Sequence, residues 1–224
     1  MMNDGFKEKN SSYSAQTILY LGTFRFPDGD ARGRRVFGIG KTLKELGHEV
    51  VFIGVDPNLP CDVKIGDTQK TFENFAYYNV GSFRSVKQLF SSFLVLKNVK
   101  TFLKESGLID RVDIVVHYGA FSLSFLNLLL FRFFSARGIQ NIVDCADWYS
   151  IKCNSVVNIL RRIDNDFHKS YVNLQADGLI VISKFLQDYY ESRGKKTVLI
   201  PPTTPESETP ISSAFVRKSE KQDI

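Results

Sequence analysis

Apolar and polar positions alternate in blocks along this chain, and the blocks predict strands and helices in turn. Thr17-Ile18-Leu19-Tyr20-Leu21 is short, apolar and rich in strand formers, and Gly22 follows it. That pattern predicts a buried strand entering a turn. The next stretch, 23–33, carries turn chemistry in Pro27, Asp28-Gly29 and Gly33. Val36, Ile39, Leu43 and Leu46 then recur at spacings of three and four, which places them on one helix face. Gly47 stands where a helix end takes a left-handed residue, and Glu49 to Ile53 predicts the next strand. A strand–helix–strand unit this compact predicts parallel strands with a right-handed crossover. Ligands of such sheets bind beyond the carboxyl ends of the strands, so loop 22–35 is expected to line the ligand crevice.

The same alternation continues. Residues 54–76 are polar and irregular around Pro57, Pro60 and Gly66, with a short strand expected near Val63, and Ala76 to Val80 predicts a third strand. Ser85 to Ser106 predicts a long helix with Val86, Leu89, Phe93, Leu96, Val99 and Leu103 at helical spacing, interrupted by Lys97, Lys100 and Lys104. Val112 to His117 predicts a strand. Phe121 to Phe134 is the most apolar segment, but it is shorter than the roughly 20 residues of a membrane span and contains Asn127 and Arg132. It predicts a helix buried over the sheet; a membrane-facing helix of a peripheral protein is the alternative.

Ile139 to Val143 predicts a further strand. Asn154 or Ser155 can cap the helix that follows, with Val156, Ile159, Ile163, Phe167, Tyr171 and Leu174 on one face and Arg161, Arg162, Asp164 and Asp166 on the other. His168 is expected on that helix's surface. Leu179 to Ile182 is the next strand. Ser183 caps a short helix bearing Phe185, Leu186, Tyr189 and Tyr190, stopped by Gly194, and Thr197 to Ile200 is the last strand. Pro201-Pro202 cannot continue a ladder. Strands alternating with helices throughout predict an α/β, Rossmann-like fold: a mostly parallel sheet with helices on both faces. Residues 1–16 are polar and predict a disordered N-terminal segment, 17–202 the domain, and 203–224, rich in Pro, Ser, Thr, Glu and Lys, a linker or tail.

The loop glycines do not form the dinucleotide fingerprint, since no G-x-G-x-x-G follows the first strand. Gly38-Ile39-Gly40-Lys41-Thr42 imitates the end of a phosphate-binding loop. Arg35 holds the place of its first glycine, however, and the run lies inside the helix, so Gly38 and Gly40 read as packing glycines. The basic run Arg32, Arg34, Arg35 at the helix start is either solvated surface or an anion contact, where backbone N–H groups already favour phosphate.

Composition narrows the ligand classes. A net charge of +5 in 224 residues, with a pI near 9.0, suits phosphate-bearing ligands or an anionic membrane surface. No dense Lys/Arg tract suggests nucleic acid. Cys61, Cys145 and Cys153 have no C-x-x-C spacing and no clustered histidines, so neither a metal site nor a disulfide framework is expected. Reduced thiols and the lack of an apolar leader in residues 1–16 predict a cytoplasmic protein, with the inner face of the membrane as an extension of that reading.

In the order and spacing of three pieces, the stretch from Thr17 to Pro202 resembles the N-terminal domain of GT-B retaining glycosyltransferases of family 4. The pieces are the opening strand and loop through Leu46-Gly47-His48-Glu49-Val50; Asp144 to Ser150 after a strand; and Ala176 to Leu186 followed by Val198-Leu199-Ile200-Pro201-Pro202. The resemblance implies a two-domain enzyme that moves a hexose from a nucleotide-sugar to a glycan or lipid-linked acceptor. This half would hold the acceptor and a C-terminal donor-binding domain, absent here, would hold the nucleotide-sugar, with no metal and no cofactor. Such a half is not expected to be active alone. A peripheral membrane contact fits the lipid-linked acceptor.

Two departures from the family pattern bear on the site. Asp30-Ala31, with Gly29 nearby, stand where many members carry a glycine pair, and Tyr118 stands where many carry a histidine, with His117 one residue early. The residues proposed for acceptor or donor-phosphate binding are Gly29, Asp30, Arg32, Gly33, Arg34 and Arg35. His117, Tyr118, Asp147, Trp148 and Ser183 are proposed as cleft-lining. Asp147 can accept sugar hydroxyls and Trp148 can stack on a sugar face, or they cap a turn and fill the core. Ser183 lines the cleft or simply caps its helix, and His48 reads as a strand-edge residue. The alternatives are a binding subunit of a two-chain glycosyltransferase and an unrelated nucleotide-binding Rossmann domain.

Overall fold

The computed structural model describes residues 14–81, 88–119, 123–146 and 155–202. The segments 1–13 and 203–224, and with them most of the expected N-terminal segment and all of the tail, lie outside those residues. Eight strands form one sheet: β1 (Thr17–Gly22), β2 (Glu49–Asp56), β3 (Lys70–Phe72), β4 (Phe75–Gly81), β5 (Ile114–Tyr118), β6 (Gln140–Cys145), β7 (Gly178–Val181) and β8 (Thr197–Leu199). Their order is β3-β4-β2-β1-β5-β6-β7-β8. Every neighbouring pair is parallel except the edge hairpin β3–β4.

Helices cover both faces, as the alternation predicts. On one face α1 (Ala31–Glu45) packs Val36 and Ile39 against Ile18, Tyr20, Val50, Phe52 and Phe75. Gly40 lets it sit close: a Cβ there would meet the tip of the Phe52 ring at 2.5 Å. On the other face α2 (Gln88–Glu105) and α3 (Ser124–Ser135) bring Val95, Val99, Leu103, Leu130 and Phe134 onto Leu19, Leu21, Val51, Ile53 and Val115. A third cluster joins Phe131, Val143, Leu179 and Val181 to Leu186 and Tyr190 of α5 (Lys184–Glu191). The expected caps hold. Gly47 follows α1 at φ 92°, and Ser155 and Ser183 accept from the backbone N–H groups of Asn158 and Leu186. Among the described residues no helix is long and apolar enough to cross a membrane.

Some expectations fail. No strand forms near Val63; the third strand in chain order is Lys70–Phe72, set antiparallel at the sheet edge by the turn at Glu73 and Asn74, both of positive φ. The helical stripe of α1 stops short, because Leu46 is exposed beyond the sheet. The apolar face expected on α4 (Val156–Phe167) exists in sequence but faces away from the core: Val156 is 74% and Ile163 60% exposed. α4 is held instead by its polar side, where Asp164 accepts from the Ser124 backbone N–H at 3.1 Å and Ser124 Oγ donates to the Asp164 carbonyl at 2.8 Å. His168 is half-buried rather than exposed. It begins a π-helical turn, His168–Val172, and its Nδ1 is buried with no hydrogen-bond partner among the described residues.

Candidate functional site

The carboxyl ends of β1 and β5 lie side by side, with Gly22 registered against Tyr118. Chain connections run outward from β1 in both directions, so this is the topological switch point where such sheets open a crevice. The backbones meet closely here. A Cβ on Gly22 would overlap the Tyr118 carbonyl, and Thr23 N–H donates to that same carbonyl at 3.0 Å. Gly119, at φ 64°, continues the rim. The loop from Thr23 then crosses the tip of β2, where Phe24 O accepts from Val55 N–H at 2.9 Å. Loop 22–35 therefore runs along the carboxyl rim of the sheet, as expected.

At its end Asp30 caps α1, accepting from Gly33 N–H at 2.7 Å. Gly33 is required by contact: a side chain there would overlap the Arg25 carbonyl. Gly29 is exposed beside Arg25. Arg32 and Arg34 are exposed on the first turn of α1, and Arg32 Nη1 reaches the Thr23 carbonyl at 3.4 Å. Together they present two cations and a helix N-terminus on the rim.

Arg35 is the exception in the basic run. It is 6% exposed and turns inward beneath the rim. Its Nη2 lies 2.9 Å from Asp144 Oδ1, and its Nε is 3.3 Å from both carboxylate oxygens. Tyr20 Oη donates to Asp144 Oδ2 at 2.5 Å. The remaining Arg35 nitrogen donates to the carbonyls of Ile200, at 3.0 Å, and Pro201, at 3.4 Å. Burial disfavours the Arg35 cation, but the hydrogen bond and charge of Asp144 outweigh it and raise its pKa. Burial, reinforced by Asp144, likewise raises the Tyr20 phenol well above its ordinary value. An anion arriving at the rim would find the Arg35 charge already neutralised, so the expected ligand contact is corrected to an internal ion pair. Tyr20 and Asp144 were missed as its partners. Strand parity could have found them, since Asp144 sits at an inward position of a strand.

The other expected positions separate. His117 is not in the crevice; it is buried under Phe131 and Phe134 on the α3 face, with Nε2 2.8 Å from Asn141 Oδ1. Burial lowers its pKa to about 4. Tyr118 is buried edge-on to Phe24 at the rim's base. Ser183 caps α5. His48 accepts from Gln16 N–H at a strand start. Asp147 and Trp148 lie outside the described residues. Among the described residues no three His, Cys, Asp or Glu side chains gather as metal ligands.

No protein-family model and no curated protein sequence matches the chain. Solved structures do share its fold. It is similar to the catalytic domain of starch synthase IV from Arabidopsis thaliana bound to ADP and acarbose, with a TM-score of 0.56 at 15% identity. That likeness covers 84% of this chain and 52% of the other. It is also similar to a ugt transferase from Siraitia grosvenorii in complex with UDP, with a TM-score of 0.52 at 9% identity, over 87% of this chain and 53% of that one. The chain thus spans about half the length of each and has the architecture of a GT-B Rossmann-like half.

Proposed function

We propose that this chain is the acceptor-side half of a retaining glycosyltransferase, moving a hexose from a nucleotide-sugar to a glycan or lipid-linked acceptor. The observation that carries the reading is the rim: a switch-point crevice bordered by loop 22–35, with Arg32 and Arg34 on an exposed helix N-terminus. The fold shared with a starch synthase domain bound to ADP and acarbose and with a ugt transferase bound to UDP supports it. In this reading the rim orients the acceptor hydroxyl and its cations stabilise nearby phosphate charge. The donor is gripped by a second domain, in the same polypeptide or on a separate chain. If it is in the same polypeptide, the chain would lead to it from Ile200 and Pro201, whose carbonyls accept from Arg35. Exposed Val198 and Leu199 on edge strand β8 are apolar surface that such a domain would cover.

The test is titration of the purified chain with candidate acceptor glycans and nucleotide-sugars, followed by a transfer assay. Acceptor binding that Arg32→Ala and Arg34→Ala weaken, without turnover, is expected. Efficient transfer by the chain alone, or tight binding of NAD in place of any acceptor, overturns the reading.

A further inference from the structure

A second feature of the rim lies on the far side of loop 23–27 from the switch point. Where this loop crosses the tips of β2 and β4, it leaves a cavity of about 190 Å³. That is below the roughly 300–1,000 Å³ of sites for drug-sized ligands, and fits one sugar ring, not a dinucleotide. Its lining is mostly polar. Arg25 comes from the loop, Asp56 from the end of β2, Lys70 from the edge strand and Asn79 from β4; Phe26 and Tyr77 add an aromatic wall, their rings 5.0 Å apart.

Two observations point to a ligand. Asn79 is 5% exposed, and its side-chain amide makes no hydrogen bond among the described residues. Its backbone is fully used, since both its N–H and its carbonyl bond the Thr68 hydroxyl. The amide is not sealed from water, and the cavity it lines is the side from which a partner can reach it. Next, Arg25 and Lys70 carry two positive charges to the lining with no ion-pair partner among the described residues, while the nearby Glu73 is engaged by Lys41 at 3.5 Å. Asp56 is the lone acid. One of its oxygens accepts from Asn58 N–H at 2.9 Å, which leaves the other to accept a hydroxyl.

We propose that this cavity binds a single sugar ring carrying one anionic group, a carboxylate or a phosphate. Arg25 and Lys70 take the anion by charge-assisted hydrogen bonds. Asp56 and Asn79 take ring hydroxyls, and Phe26 and Tyr77 contact the apolar sugar face. The role of this ring as part of the acceptor rests on the function proposed above; its binding does not.

Calorimetric titration of the whole chain at low salt, with glucose, glucuronate, glucose 1-phosphate and inorganic phosphate, tests the assignment. At least one anionic sugar should bind roughly tenfold or more tighter than both glucose and inorganic phosphate. The stronger of the two identifies the anion. Arg25→Ala and Lys70→Ala, at exposed positions that leave thermal unfolding unchanged, should each remove most of that preference; Asn79→Ala should weaken every sugar. Equal binding of glucose, preference unaffected by Arg25→Ala and Lys70→Ala, inorganic phosphate matching the tighter of the two anionic sugars, or no binding at all overturns it. Failure here with acceptor glycans still binding leaves the proposed function standing. Anionic sugars bound without transfer, even when a donor half is supplied, would remove the proposed function and leave this site.

Discussion

Arg35 and Asp144, 109 residues apart in sequence, form a buried ion pair 2.9 Å long that ties the first helix to the sixth strand. Both side chains are removed from water, so each depends on the other. Breaking such a pair leaves an uncompensated buried charge and costs about 3–5 kcal/mol. Asp144→Ala and Arg35→Ala should each lower stability by that amount in urea unfolding. Arg35→Met combined with Asp144→Leu should lose much less, because replacing both partners removes the unpaired charge. Tyr20→Phe should cost about 1.5–3 kcal/mol, the value of one hydrogen bond to a charged group. Near-wild-type unfolding midpoints for the single variants would contradict the pairing.

Two histidines make stability pH-dependent. Burial lowers the pKa of both His117 and His168 from 6.5 to about 4. Above pH 6.5 both are neutral whether the chain is folded or unfolded, and neither affects the balance. As pH falls from 6.5 toward 4, the unfolded chain takes up protons that the folded chain refuses, and stability declines; below about 4 the loss levels off. Each site contributes a loss on the order of 3 kcal/mol at most. Chemical denaturation at pH 7.5, 5.5 and 4.5 should show the decline, and His168→Gln should flatten part of it.

The switch point depends on backbone contact, not side chains. Gly22→Ala would drive a methyl group into the Tyr118 carbonyl on the adjacent strand. Forcing the two strands apart should cost about 1–3 kcal/mol, as overpacking does elsewhere. The urea midpoint should fall with the slope unchanged. A neutral Gly22→Ala would mean the strands can separate freely here.

The exposed face of α4 makes the opposite prediction. Leu160→Ser and Ile163→Ser remove side chains that are already mostly in water, so each should shift unfolding by about 0.5 kcal/mol or less. A loss of several kcal/mol would place that face inside the core.

Local pattern carried most of the architecture. Period-two and period-three-to-four apolar spacing located β1, α1, β2, α3 and the helix caps at Ser155, Ser183 and Gly47, because each depends on neighbours in the chain. It failed where the answer lay in a distant partner. The α4 stripe has the spacing of a core helix, yet the hydrogen bonds between Asp164 and Ser124 set which side turns to the sheet. His168 reads as a polar surface residue, but a π-helical turn carries it inward.

The sequence by itself determined that strands and helices alternate, that the sheet is mostly parallel and that loop 22–35 follows its first strand. Those are consequences of local spacing and turn chemistry. The tertiary structure alone decided that Arg32 and Arg34 face outward while Arg35 turns inward. It also decided that Asn79, inward by the same parity as Phe75 and Tyr77, opens onto a cavity. The reason is physical: whether a charge or an amide faces water depends on which group from another strand or loop lies beside it, and that neighbour is set by the register of the whole sheet.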